Sequence, residues 1–246
     1  MSARTRSLLL LGLLLSVAPA SRAADAGLAT YTAVYRVEYK GKDVGTSEFS
    51  VRYLAERDIY EFRSRTQAKG LLKLVSPNPV IERSEFRATP DGIVSLEFWY
   101  EDGSRKGEDN RHIVFDWERE VATVSGSDGS SREIPLQRGA LDRGSLQVAL
   151  MHDLATTGQT RRYLLTDEDS LQDYEYADNG PATTTTGLGA LATRSLMQQR
   201  EGSSRSTWLW MAPELQFLPA RIEQHRNGEV YTAFSLLSVS GLAARQ

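Results

Sequence analysis

From Thr30 onward, apolar and polar residues alternate with a period of two along most of the chain. Tyr31, Ala33, Tyr35, Val37 and Tyr39 fall on one face of a strand, while Thr32, Arg36, Glu38 and Lys40 fall on the other, as a half-buried β-strand requires. The turn Lys40-Gly41-Lys42-Asp43 leads into a second run with Ser47, Phe49, Val51 and Tyr53 on one face, and a third follows Glu56-Arg57-Asp58 with Tyr60 and Phe62. Together they predict an antiparallel meander. The alternation breaks at residues 69–79 (KGLLKLVSPNP), where Pro77 and Pro79 exclude a central strand. A loop carrying a hydrophobic cluster is expected there. Strands resume at 80–88 and 93–101 around the turn Thr89-Pro90-Asp91-Gly92, and Asp102-Gly103, Asp128-Gly129, Asn179-Gly180 and Asn227-Gly228 mark further turns. Later strands are expected near 161–166, 171–177, 190–200, 205–211, 219–226 and 229–239.

One segment departs from this period. Over residues 142–156, Leu146, Ala149, Leu150 and Leu154 recur at three- and four-residue spacing, Asp142 or Ser145 can cap the N-terminus, and Gly158 lies past the end. About a dozen strands with this single helix predict an all-β fold, an antiparallel, strongly curved sheet or barrel-like β-domain.

The amino terminus has a different character. Arg4 and Arg6 precede the apolar run LLLLGLLLSVA, and small residues follow at Ala18-Pro19-Ala20 and Ser21-Arg22-Ala23, the layout of a secretory signal peptide. The run is too short for a bilayer span of about 20 residues. The expected organisation is therefore a leader over residues 1–23, cleaved after Ala20 or Ala23, and one β-rich periplasmic domain over 24–246. No integral membrane span is expected after cleavage. Removal of the leader takes Arg4, Arg6 and Arg22 from the 29 basic residues and none of the 32 acidic ones, moving the formal net charge from −3 to −6. An acidic exported chain is a poor partner for nucleic acid and, by its overall charge, for anionic lipid headgroups. With no cysteine in the sequence, disulfides, thiolate metal sites, thiol nucleophiles and an N-terminal lipidated cysteine are all excluded.

Candidate chemistry is sparse. His112, His152 and His225 lie far apart in sequence with no metal spacing, so no metal and no cofactor is expected. A Ser145, His152 and Asp constellation lacks a Gly-x-Ser-x-Gly elbow, and Gly144-Ser145 reads more simply as a helix start. The acidic stretch Asp167-Glu168-Asp169 through Asp178 lacks the order of a calcium loop and suits an exposed hairpin tip.

The opening strand Tyr31-x-x-x-Tyr35-x-Val37, the helix start Asp142-x-x-Ser145-Leu146 and the late stretch Trp208-Leu209-Trp210-Met211-Ala212-Pro213-Glu214-Leu215-x-x-Leu218-Pro219-Ala220-Arg221-Ile222 resemble the bacterial exported proteins of domain-of-unknown-function family 3108, over roughly residues 30–239. Gly144 stands where the helix start of that family commonly carries Leu. The resemblance implies a periplasmic, β-rich protein and supplies no catalytic residues.

The remaining signal is aromatic. Tyr31, Tyr35, Tyr39, Phe49, Tyr53, Tyr60, Phe62, Phe86, Phe98, Tyr100, Phe115, Trp117, Trp208 and Trp210 sit at strand spacing, where they either fill an ordinary core or line a curved sheet around an apolar cavity. In the second case Leu71, Leu72 and Leu74 form a lip at the mouth, and Trp208 and Trp210 contribute to the ligand site. The expected function is a non-enzymatic periplasmic protein of the cell envelope that binds an apolar or lipid-like small molecule, or an envelope protein. The alternatives are a structural or interaction protein with a filled core, and a hydrolase acting on envelope glycans or lipids.

Overall fold

The computed structural model describes residues 28–242 apart from Val75 and Glu168. The leader and both of its cleavage positions lie outside the described residues. Among the described residues, sixteen strands and one α-helix follow in order: β1 (Tyr31–Tyr39), β2 (Lys42–Leu54), β3 (Ile59–Ala68), β4 (Val80–Thr89), β5 (Gly92–Glu101), β6 (Arg111–Asp116), β7 (Val121–Gly126), β8 (Ser131–Pro135) and β9 (Ala140–Leu141). Helix α1 (Arg143–Thr157) is followed by β10 (Tyr163–Thr166), β11 (Leu171–Tyr174), β12 (Ala177–Thr186), β13 (Gly189–Gln199), β14 (Arg205–Ala212), β15 (Leu218–Arg226) and β16 (Glu229–Ser240).

Thirteen strands form one antiparallel sheet in the order β12-β13-β14-β15-β16-β1-β2-β3-β4-β5-β6-β7-β8. The chain therefore begins in the middle of the sheet, runs out to the β8 edge, crosses through α1 and a small sheet of β9, β10 and β11, and returns from the β12 edge. Its last long strand then pairs with its first, Thr32 opposite Ser240 and Tyr39 opposite Thr232. The result is the strongly curved, mostly-β fold that the alternation predicts. Curvature shows in one tertiary contact: the turn after β12 folds back so that Gly187 N–H donates to the Leu236 carbonyl of β16 at 2.8 Å. A Cβ on Gly187 would lie 2.6 Å from the Leu237 carbonyl oxygen, so only glycine admits this approach. Register shifts leave one residue unpaired at Val44 of β2, Leu96 of β5, Asn179 of β12, Ala220 of β15 and Tyr231 and Leu237 of β16, and bend these strands in the same sense that bulges do. The β8 and β12 edges are not joined to one another, so the sheet curls without closing.

The turn signals are realised at Lys40-Gly41 and Asn227-Gly228, where both residues of each pair have positive φ, the geometry of a tight hairpin. Asn179-Gly180 differs. Instead of turning the chain, it sits inside β12 at a register shift between Asp178 and Gly180, with Gly180 at φ 85° and its N–H held by the Asp178 carboxylate at 2.9 Å. The expected strand over 171–177 is accordingly split, β11 pairing in the small sheet and β12 in the large one.

The core lies between the inner face of the sheet and α1. Tyr35, Phe86, Leu150, Leu154, Leu196 and Leu236 are fully buried, and each such side chain contributes on the order of 1.5–3 kcal/mol. Leu146, Ala149, Leu150 and Leu154 form the buried face of α1, as their spacing predicts. The helix packs on β3, β4 and β5, and the contact is tightest at Gly144. A Cβ there would lie 2.6 Å from both Phe62 Cδ1 and Ser84 Cβ, which explains why this chain has no larger residue at that position. Gly144→Ala should therefore destabilise the protein by about 1–3 kcal/mol from overpacking, against the roughly 1 kcal/mol that alanine gains in helix propensity. A lower urea midpoint in equilibrium unfolding checks this.

Candidate functional site

The site is built outward from the start of α1. Asp142 caps the helix in an extended conformation, its carboxylate accepting from the N–H groups of Gly144 (2.9 Å) and Ser145 (3.0 Å), while its own N–H donates to the Ser145 hydroxyl at 3.0 Å. This is a capping box with serine in place of the usual Glu or Gln. It extends into the sheet: Ser84 on β4 donates to Asp142 at 2.6 Å, and Ser95 on β5 lies 2.6 Å from the Ser145 hydroxyl and accepts from Asp142 N–H at 3.1 Å. Asp142, Ser145, Ser84 and Ser95 are all inaccessible to solvent. Burial raises the Asp142 carboxyl above its ordinary pKa, and the hydrogen bonds from Ser84 and Ser145 hold the shift back.

This network answers the catalytic reading of Ser145. Its hydroxyl is buried and committed to Asp142 and Ser95, and His152 lies two turns along the helix, about 10 Å away along its axis. The Asp153 carboxylate is held by Arg161 at 2.8 Å and by the Tyr163 hydroxyl at 2.9 Å. Elsewhere His112 stacks on Trp99 with ring centroids 4.9 Å apart, and His225 meets Glu223 at 2.8 Å. Among the described residues no group of three or more His, Asp or Glu is placed to hold a metal ion. The acidic stretch is matched by arginines: Asp167 by Arg143, Asp169 by Arg132 and Asp173 by Arg162.

A cleft of about 230 Å³ opens immediately beyond the cap. Phe98 and Tyr100 of β5 and Ile113 of β6 form its apolar floor, while Arg143, Arg111, Thr166, Asp167 and Asp109 supply polar groups. Arg143 occupies the first helical position, where a cation opposes the helix dipole. It is compensated by Asp167 at 3.3 Å and Glu82 at 3.9 Å. Burial weakens the guanidinium, yet these two carboxylates outweigh it and hold its pKa above the usual value. Glu82 is itself raised by burial, which the Arg143 charge partly offsets. Burial, with the charge of Glu82, likewise raises the Tyr100 phenol. Thr166 is 2% exposed and its hydroxyl has no hydrogen-bond partner among the described residues. A buried hydroxyl left so costs about 1–3 kcal/mol.

Of the residues singled out from sequence, Trp208 and Trp210 do come together, stacking at 6.3 Å. Because Leu209 and Met211 between and beyond them are buried, the indoles project from the opposite, outer face, beside His225 (5.8 Å from Trp208). Leu71, Leu72 and Leu74 lie on a short 3-10 turn, Gly70–Leu74, between β3 and β4, and are 84%, 41% and 70% exposed. Four strands separate β3 from β14 in the sheet, so the leucines and the tryptophans do not form one site. Thr166, Arg143 and Arg111 carry no pattern that marks them in sequence. The one available signal was a basic residue at a helix start with no acidic residue in the first turn.

The chain belongs to the family described as protein of unknown function (DUF3108), which matches residues 34–232. No curated protein matches it. Among solved structures, it is similar to a β-barrel-like protein of domain of unknown function DUF1849 from Brucella abortus, with TM-score 0.51 at 9% identity, covering 87% of this chain and 98% of that one. It also matches an uncharacterized conserved protein from Thermus thermophilus (TM-score 0.37, 9% identity, 89% and 82% covered). A third match is the MucA/MucB complex of Pseudomonas aeruginosa (TM-score 0.35, 11% identity, 88% and 53% covered). The first likeness is one of fold, an envelope of strands described in the same barrel-like terms.

The Asp142 geometry makes a pH prediction. A carboxyl whose pKa is raised on folding contributes most stability below its ordinary value of 3.8 and loses that contribution as pH rises through the folded value. Asp142→Asn, which keeps the cap acceptor without the charge, should flatten the fall in stability that sets in as pH rises above the ordinary carboxyl value of 3.8. Asp142→Ala should cost about 2 kcal/mol or more throughout that rise. Urea unfolding at a series of pH values reads both effects.

Proposed function

We propose that this protein is a non-enzymatic binding protein of the cell envelope, exported by its leader, that holds a small ligand in the cleft between β5, β6 and the start of α1. The observation that carries the reading is the buried Thr166 hydroxyl, unpartnered at the wall of a half-apolar, half-polar opening. The oxygen itself is inaccessible from the cleft, so a ligand hydroxyl or amide recovers the cost of its burial once a small shift of the wall brings the two together. The interior of the curved sheet is occupied by α1 and by packed side chains such as Tyr35, Phe86 and Leu150, which supports a smaller and more polar ligand than the lipid-like one expected from aromatic content. The Arg143 charge is already matched by Asp167 and Glu82, and the Arg111 guanidinium donates to the Asp109 carbonyl at 2.9 Å. The ligand class this favours is neutral and polyhydroxylated with one apolar face, such as a sugar ring laid against Tyr100 and Phe98.

Two alternatives have less support. A glycan hydrolase needs a pair of carboxylates free to exchange protons, and of the two that line the cleft, Asp109 and Asp167, the second is engaged by Arg143. A docking role through strand addition would use the β12 edge, which is blunted by the bulge at Asn179-Gly180 and by Pro181, or the β8 edge, a five-residue strand that ends at Pro135.

Thermal-shift and calorimetric titration of the purified protein against monosaccharides, disaccharides and fatty acids tests the proposal. A sugar-class compound should raise Tm, and fatty acids should not. Thr166→Val should leave the unliganded protein as stable or up to about 1 kcal/mol more stable, and both it and Tyr100→Ala should weaken binding by about tenfold or more. Protein recovered empty from the periplasm, with no compound shifting Tm, would overturn it.

A further inference from the structure

The turns β1–β2 and β15–β16 and the β3–β4 connection all lie at one end of the sheet, because Tyr39 pairs with both Lys42 and Thr232, and Gly45 pairs with Ala68. Chemistry is concentrated at this tip. Of the seven exposed large hydrophobic residues among those described, five are here: Leu71, Leu72, Leu74, Tyr39 and Val230. The chain has only five lysines among its 29 cationic residues, and four of them, Lys40, Lys42, Lys69 and Lys73, are here as well. The fifth, Lys106, sits in a neighbouring loop and pairs with Glu108.

The leucines have no place in either core cluster, and no residue of their 3-10 turn is buried. They project beside lysines whose long stems can run along an apolar surface while the ammonium stays in water. Lys40 already does so, its Nζ lying 5.6 Å and 5.9 Å from the ring centroids of Tyr39 and Tyr231. With Arg226, the tip carries five cations against the three carboxylates of Glu38, Asp43 and Glu229, with Lys69 paired to Asp43, in a chain whose net charge is −3. Exposed leucine and tyrosine interspersed with lysine at one end of the sheet are complementary to an anionic bilayer surface, the aliphatic groups entering the acyl boundary and the ammonium groups meeting lipid phosphate.

We propose that this tip docks the protein peripherally on an anionic lipid surface through Leu71, Leu72 and Leu74, with Lys40, Lys42 and Lys73 as headgroup contacts. The docking is independent of what the cleft binds, which lies on the inner face beside α1.

Flotation of protein purified from the periplasm with vesicles of phosphatidylethanolamine and phosphatidylglycerol, against vesicles of phosphatidylcholine alone, tests it. Binding should favour the anionic vesicles by about tenfold and fall as salt rises from about 50 to 300 mM. The double variant Leu71→Ser with Leu74→Ser should lose about tenfold or more of the binding, and Lys40→Gln with Lys73→Gln should flatten the salt dependence. All four side chains are exposed, so Tm should stay unchanged and separates lost docking from lost folding. No association with anionic vesicles at low salt, equal association with both vesicle types, or binding untouched by the leucine substitutions would each overturn the proposal.

Discussion

A single buried carboxylate joins the two layers of this fold. Asp142 has no access to solvent, and it binds its own helix start and a serine of β4 at the same time. Removing such a charge from water is costly unless every oxygen finds a donor, and here backbone amides and serine hydroxyls meet both oxygens. The placement of α1 across β3, β4 and β5 then follows, since any slide of the helix would leave those groups unpaired in a dry environment. Gly144 completes the constraint by letting the backbone approach Phe62 and Ser84.

The cleft inherits its geometry from that anchor. Arg143 follows the cap directly, so the position that fixes the helix also aims a guanidinium between Glu82 on the sheet and Asp167 past β10. The cation that opposes the helix dipole is held by carboxylates from two other elements. Tyr100 and Phe98 reach the same opening because β5 places them on the face that α1 covers. The tip of the sheet is governed differently. No layer covers it, and its leucines and lysines answer to solvent or to a surface outside the molecule.

Much of the fold is legible residue by residue. The period-two runs give β1 through β5 and β13 through β16, and the three- and four-residue spacing of Leu146, Ala149, Leu150 and Leu154 gives α1 within one residue at either end. Asn179-Gly180 shows where local reading fails. The pair favours left-handed backbone wherever it occurs, and that conformation serves a bulge as well as a hairpin turn. Which of the two forms depends on the partner strand, β13, and no feature of the pair itself carries that information. Trp208 and Trp210 show a second limit: alternation places them on one face together, but whether that face is inner or outer is decided by which side α1 occupies.

The sequence by itself determined the strand class, the one helix, its cap and the hairpin turns such as Lys40-Gly41 and Asn227-Gly228, because these follow from sterics and hydrogen bonding among residues a few positions apart. The pairing of β16 with β1, the crossing of α1 over β4 and β5, the meeting of Thr166 with Tyr100 and Arg143, and the gathering of four lysines with three exposed leucines were decided only by tertiary structure. Each joins residues separated by tens to hundreds of positions. Their proximity is a property of the curled sheet as a whole, held by burial and non-local hydrogen bonds that no short stretch of chain encodes.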